Sequence, residues 1–283
     1  MAMTRERNAR RQNLTILFEG IFYFILTAFI IIASAEAVLS RAEIYAPSRP
    51  VSIWYILLAF AVATFLLVIF VKNLKSKIFF EIFFTIAIFA GIWFLADIWF
   101  RVDLAVLVAV LVTALKFIYK PIWWQNLVMV LGIAGVVVVF GLSVTWFTAL
   151  ILLAILSFYD IVAVYLTGHM VKMFEGLFER GVVFALILPS QVHDFFKSYH
   201  EAKLGSKYMF LGSGDLALPG IFIACLVRIS IWQGIFAALG AIIGFALMEI
   251  IFSFQKKRKP MPALPPIAAG TILGFAIAVL FNL

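Results

Sequence analysis

Nine apolar runs follow one another along this chain, and they decide what solvent it folds in. A helix crossing the hydrocarbon core of a bilayer needs about 20 mostly apolar residues. The segments 16–39, 51–71, 78–100, 102–118, 126–141, 143–166, 208–228, 231–254 and 263–282 meet or approach that length. The chain is 65% hydrophobic and 13% charged, against about 45–50% and about 25% for soluble domains. Backbone groups in lipid must bond within their own segment or within a closed barrel, and no ten-residue alternation suggests a barrel. The expected fold is an all-α membrane protein with nine transmembrane helices, a multi-pass protein of the cell membrane.

Charge gives the orientation. With the N-terminus cytoplasmic, the inner segments hold Arg5, Arg7, Arg10 and Arg11, then Lys72, Lys75 and Lys77, then Lys116 and Lys120. Lys172, Arg180, Lys197, Lys203 and Lys207 follow in one long loop, and Lys256, Lys257, Arg258 and Lys259 precede the last span. Of 22 basic residues only Arg41, Arg49, Arg101 and Arg228 fall outside. The positive-inside rule then predicts nine spans, N-terminus in and C-terminus out. Basic loops beside an anionic leaflet account for the net charge of +8, so no nucleic-acid partner is needed. The first span exceeds the 7–15 apolar residues of a cleavable leader and is expected to remain. Cys225 has no second cysteine to pair with.

The loop 167–207 divides a six-helix N-terminal part, 1–166, from a three-helix part, 208–283. Within it, 181–190 is apolar but too short to span and is read as interfacial, with a gate over the site as the alternative. His169, His193 and His200 lie in the same loop, in no pattern that suggests a metal site.

Two acids lie deep in apolar runs: Asp160 in SFYDIVAVY and Asp215 in LGSGDLALPG. An ionisable group in a bilayer costs roughly 2.5–3.5 kcal/mol on insertion scales, so it marks a functional site by default. Counted from the cytoplasmic ends of spans six and seven, both acids lie about 10–12 Å deep at 1.5 Å per residue. Gly212, Gly214 and Gly220 surround Asp215; glycine costs a helix about 1 kcal/mol relative to alanine, which calls for either close packing or a local break. Tyr159 beside Asp160 offers either a hydroxyl donor or a packing ring. Pro260, Pro262, Pro265 and Pro266 predict extended backbone at 260–266, brought to the same level as the acids. Glu19, Glu36, Glu81, Asp97, Asp103 and Glu249 are read as interfacial or structural, with Asp97 and Arg101 spaced to pair.

Two neighbouring carboxyls share a proton, and the acid–carboxylate state can activate water while protonating a carbonyl. That chemistry suits peptide hydrolysis. A substrate reaching the pair from the bilayer would be another transmembrane helix, unwound to expose its bond and pairing with extended backbone by strand addition. The alternative is a proton- or cation-conducting transporter or leak channel using the same acids. A scaffold without activity is a third reading, disfavoured by two intact acids.

Three motifs in order carry a resemblance across the whole chain: Tyr159-Asp160 in span six, Gly212-Ser213-Gly214-Asp215 in span seven, and Pro262-Ala263-Leu264 opening span nine. Together they resemble the presenilin and signal peptide peptidase family of GxGD intramembrane aspartyl proteases. The orientation and PALP at 262–265 look closer to presenilins, and the compact length resembles an archaeal presenilin homologue. The resemblance implies Asp160 and Asp215 as catalytic pair, Pro262, Ala263 and Leu264 shaping the site and holding substrate, and Gly212 and Gly214 allowing access. It implies membrane-protein substrates and neither metal nor cofactor. The oligomeric state stays open.

Overall fold

The computed structural model describes residues 2–41, 53–73, 77–203, 205, 207–255 and 260–282. Arg49, Lys75, Lys256, Lys257, Arg258 and Lys259, on which part of the charge argument rests, lie outside the described residues, as do the side chains of Arg5, Arg7, Arg10, Arg11, Lys72 and His169. The elements run α1 (Ala2–Ser40), α2 (Ile53–Asn73), α3 (Lys77–Trp99), α4 (Val102–Ile118), α5 (Ile122–Ser143) and α6 (Trp146–Ile161). After α6 come a π-helical turn (Val162–Leu166), α7 (His169–Glu179), β1 (Ala185–Pro189), two short 3-10 turns and β2 (Tyr208–Gly212). Three helices close the chain: α8 (Ser213–Val227), α9 (Ile231–Ser253) and α10 (Leu264–Leu280).

Among the described residues, five helices are long and apolar enough to cross a membrane: Asn13–Ser40, Lys77–Trp99, Ile122–Ser143, Trp146–Leu166 and Ile231–Ser253. Ser213–Val227 and Leu264–Leu280 are apolar but shorter. Helices in lipid gain little from hiding apolar surface, so close backbone approach carries much of their packing. Two glycine seams supply it. A Cβ at Gly240 would collide with the Gly270 carbonyl, and one at Gly270 with the Gly240 carbonyl, which locks α9 to α10. Gly91 of α3 lies equally close to α5: its Cβ would collide with the Gly132 carbonyl, and a Cβ at Gly135 with the Gly91 carbonyl. Replacing Gly270 by Leu should therefore part α9 from α10 and lower stability by at least about 1–3 kcal/mol, the usual cost of overpacking. Thermal unfolding in detergent reads it, and an unchanged midpoint contradicts the seam.

Arginines finish two helices at one end of the bundle. The Arg228 guanidinium donates to Leu142 O at 2.9 Å, and Arg41 donates to Ile98 O at 2.5 Å, each at a carbonyl near the close of its helix. Cys225 is buried with its thiol 3.2 Å from Val144 O.

Three expectations change. The seventh apolar run, 208–228, is not one helix: its first five residues are β2, paired antiparallel with β1 in the register Ala185↔Gly212 through Pro189↔Tyr208. Segment 181–190 is therefore not interfacial, since all five residues of β1 are buried. The prolines at 260–266 do not keep the whole segment extended. The helix α10 starts at Leu264 with Pro265 and Pro266 in its first turn, where a missing N–H costs nothing because first-turn donors have no intrahelical acceptor. Glu19 (8% exposed) and Glu249 (2%) are buried, which selects the structural over the interfacial reading, because α1 and α9 turn these faces toward each other where Gly20 meets the Phe245 ring.

Candidate functional site

Asp160 is the next-to-last residue of α6 and is buried. Beyond it the helix widens: Thr167 N–H reaches Val162 O, five residues back, at 3.0 Å. Such π turns insert a residue into a helix and frequently mark functional sites. Gly168, at φ 60°, then ends the segment in the left-handed region that glycine enters without strain.

Asp215 is the third residue of α8, not a residue two turns inside a long helix. Leu211 and Gly212 complete β2 and Ser213 begins the helix, with Gly212 as the N-cap. The Asp215 carboxyl reaches back to accept the Gly212 N–H, the reciprocal half of a capping box in which an acidic third residue satisfies the N-cap donor. A Cβ on Gly212 would lie 3.1 Å from Asp215 Oδ2, tighter than an ordinary contact, whereas one on Gly214 would enter open space. Gly212 thus leaves room for the carboxyl, and Gly214 leaves the side of the helix beside it bare. Gly220 is different: its Cβ would press on Ile31 and Val137 at 2.9 and 3.0 Å, so it serves packing. One turn beyond Asp215, Pro219 has no N–H to give the Asp215 carbonyl.

The third strand of the site comes from the approach to α10. Pro262 and Leu264 are buried and Ala263 is half-buried. With Pro265 and Pro266 lacking N–H groups, Leu264 N–H is a first-turn donor without a helical acceptor, and it donates to Asp160 Oδ2 at 3.2 Å. The helix α6 packs against both α8 and α10. The two carboxyls lie close enough for the Asp160 charge to act on Asp215. The packing of α6 on α8 and α10 thus sets Asp160 against Leu264 and within electrostatic reach of Asp215, each acid gripped by one backbone N–H. A carboxylate has two acceptor oxygens, so each keeps capacity for water or substrate. Tyr159 is half-buried beside Asp160.

Sequence reasoning missed the support beneath Asp215. Ser190 N–H donates to Lys207 O at 2.8 Å and Ser213 N–H to Phe184 O at 3.3 Å. In an antiparallel pair this turns Ile187 N–H and C=O to the outer edge of β1. Asn126 of α5 takes both: its Oδ1 accepts Ile187 N–H at 2.9 Å and its Nδ2 donates to Ile187 O at 2.8 Å. The same amide hydrogen-bonds the Tyr23 hydroxyl of α1. A fully buried Asn126 thus stands in for a third strand. Its signal was present as a polar amide at the edge of an apolar run.

Among the described residues no group of three or more His, Cys, Asp or Glu side chains is placed to bind an ion. His193 is 3.9 Å from Asp194, whose nearer partner is Lys197 at 2.6 Å.

A family model described as signal-peptide peptidase, presenilin aspartyl protease matches residues 21–283. Two solved structures of a presenilin family intramembrane aspartate protease share the fold. One, in a C222 space group, aligns at TM-score 0.66 and 20% identity over 94% of this chain and 99% of that one. The other, in a P2 space group, gives 0.63 and 24% over 92% and 96%.

Proposed function

The chain belongs to the signal-peptide peptidase and presenilin family of aspartyl proteases, and on that premise we propose that Asp160 and Asp215 are its catalytic dyad, hydrolysing peptide bonds in transmembrane segments of other membrane proteins. The observation that carries the reading is the convergence of the two carboxyls, each fixed by a backbone N–H, at the sheet-bearing end of an apolar bundle. In the working state one carboxyl is ionised and the other protonated. The ionised one removes a proton as water attacks the scissile carbonyl carbon, while the protonated one gives its proton to the carbonyl oxygen. Collapse of the tetrahedral intermediate breaks the C–N bond and delivers a proton to the leaving nitrogen. The pair titrates jointly, so neither role belongs to one residue.

A helical substrate hides its peptide bonds and must present an extended stretch. The outward groups of β2 alternate with those bonded to β1, so Tyr208, Phe210 and Gly212 face away from β1, and Gly212 leads directly to Asp215. Strand addition along that edge delivers substrate backbone to the acid, a better-placed edge than the short extended stretch before Leu264. The test is cleavage of a synthetic single-span peptide by the purified protein in water enriched in oxygen-18. One heavy oxygen in the new carboxyl terminus supports direct attack by water. Absence of cleavage, together with an ion flux that disappears in Asp160→Ala, favours the leak-channel reading instead.

We also read the nine apolar helices among the described residues as nine spans with the N-terminus cytoplasmic. The distribution of basic residues supports this. A periplasm-dependent reporter fused after the last helix should be active and the same reporter within α7 inactive; the reverse pattern inverts the topology.

A further inference from the structure

Apart from the aspartates, a cavity of about 270 Å³ opens where the cytoplasmic-facing ends of α3 and α4, the start of α5 and the segment before β1 meet. Its lining holds Lys77, Lys116 and Lys120 with a single carboxylate, Glu81. That carboxylate is 3.2 Å from Lys77, and among the described residues none forms a salt bridge to Lys116 or Lys120. His200 lines the same cavity, and burial first, then the charges of Lys120 and Lys77, hold its imidazole below its ordinary pKa.

The cavity is a built one. Loop and helix backbones pin its walls, with Tyr199 N–H donating to Lys120 O at 2.9 Å and Ile122 N–H to Lys197 O at 3.0 Å. Gln125 closes the inner wall, its Nε2 donating to Val183 O at 3.4 Å. Gln125 is only 2% exposed, and its Oε1 has no hydrogen-bond partner. A buried acceptor left unsatisfied costs about 1–3 kcal/mol, so this oxygen calls for a ligand bearing a hydroxyl. On the bilayer side Phe84 and the exposed Phe117 continue the lining with apolar surface. Lysines for a phosphate, an acceptor for a hydroxyl and an apolar exit describe one kind of molecule.

We propose that this cavity binds a glycerophosphate group, as carried by the headgroup of an anionic phospholipid such as phosphatidylglycerol. The lysines take the phosphate as point charges, Gln125 Oε1 accepts the glycerol hydroxyl, and the acyl chains leave along Phe117. Basic pockets between helices on the cytoplasmic side suit such headgroups. No residue of the aspartate site is used, so the inference stands independently of the proteolytic reading.

Native mass spectrometry of the full-length protein in detergent tests it, with phosphatidylglycerol and phosphatidylcholine offered together. The expected result is one phosphatidylglycerol held per chain with about tenfold preference, falling about tenfold in the double variant Lys116→Gln/Lys120→Gln. Lys172→Gln/Lys203→Gln removes the same charge elsewhere and should hold the lipid like the parent. Equal thermal midpoints for the two double variants confirm that folding is not what is read. Soluble sn-glycerol phosphate distinguishes the sources: failure to displace the lipid supports a membrane ligand, and saturable binding lost with Lys116 and Lys120 supports the same site filled from solution. Equal retention of both lipids, or phosphatidylglycerol held undiminished by the Lys116/Lys120 variant, overturns the proposal.

Discussion

Asp160→Asn and Asp215→Asn, tested singly, should each reduce cleavage of a single-span substrate by at least about 10³-fold, because a shared-proton pair loses both of its functions when either member is neutralised. The near-isosteric amide is the informative change. It keeps an oxygen to accept the Leu264 or Gly212 N–H, so the fold should persist and the thermal midpoint should stay near that of the parent. The double variant should be no worse than either single one, since residues acting as a unit are strongly non-additive. Cleavage at the parental rate by either single variant sinks the dyad assignment. An equal loss of activity and of folded protein would mean that the acids serve structure.

Asn126→Leu should produce the second large effect, and by a different route. Leucine matches asparagine in approximate size but leaves Ile187 N–H and C=O without their partners inside the protein. Two buried backbone groups orphaned at about 1–3 kcal/mol each predict a loss of roughly 2–6 kcal/mol, a fall in the thermal midpoint on the order of 10 °C. Activity should fall further than stability explains when measured where the variant is still folded. The reason is that β1 is the template for β2, and β2 hands Gly212 to Asp215. An Asn126→Leu protein with parental stability and rate would show that the amide is incidental to the sheet.

The solvent, the helical class and the chemistry were legible because each rests on local composition. Apolar runs of about 20 residues allow little other than helices in lipid, and the family match spans nearly the whole chain. The two acids stood out by the same logic, since a carboxyl in an apolar run needs a reason. What misled was applying that logic uniformly. YMFLG at 208–212 is as apolar as the helix that follows it, and ALILP at 185–189 is a short continuous run ended by proline. Such runs fit a buried strand as readily as a piece of helix, and periodicity cannot separate the two. Their state was settled by a partner strand 19 to 27 residues away, in the register Ala185↔Gly212 through Pro189↔Tyr208, a contact no local pattern records. Pro265 and Pro266 misled in the opposite sense, because proline breaks a helix interior but is accommodated in its first turn.

By itself, then, the sequence determined a helical membrane protein and the identity of two acids out of place in it, since the cost of an unbonded backbone or a lone carboxyl in lipid is a property of each residue. Only the tertiary structure decided how those acids are held: Asp160 by the first N–H of α10, and Asp215 by the N-cap of α8 on a strand braced by Asn126. Hydrogen bonds between segments distant in sequence depend on which helices pack side by side, and that choice is made by glycine seams and buried faces acting together rather than by any residue alone.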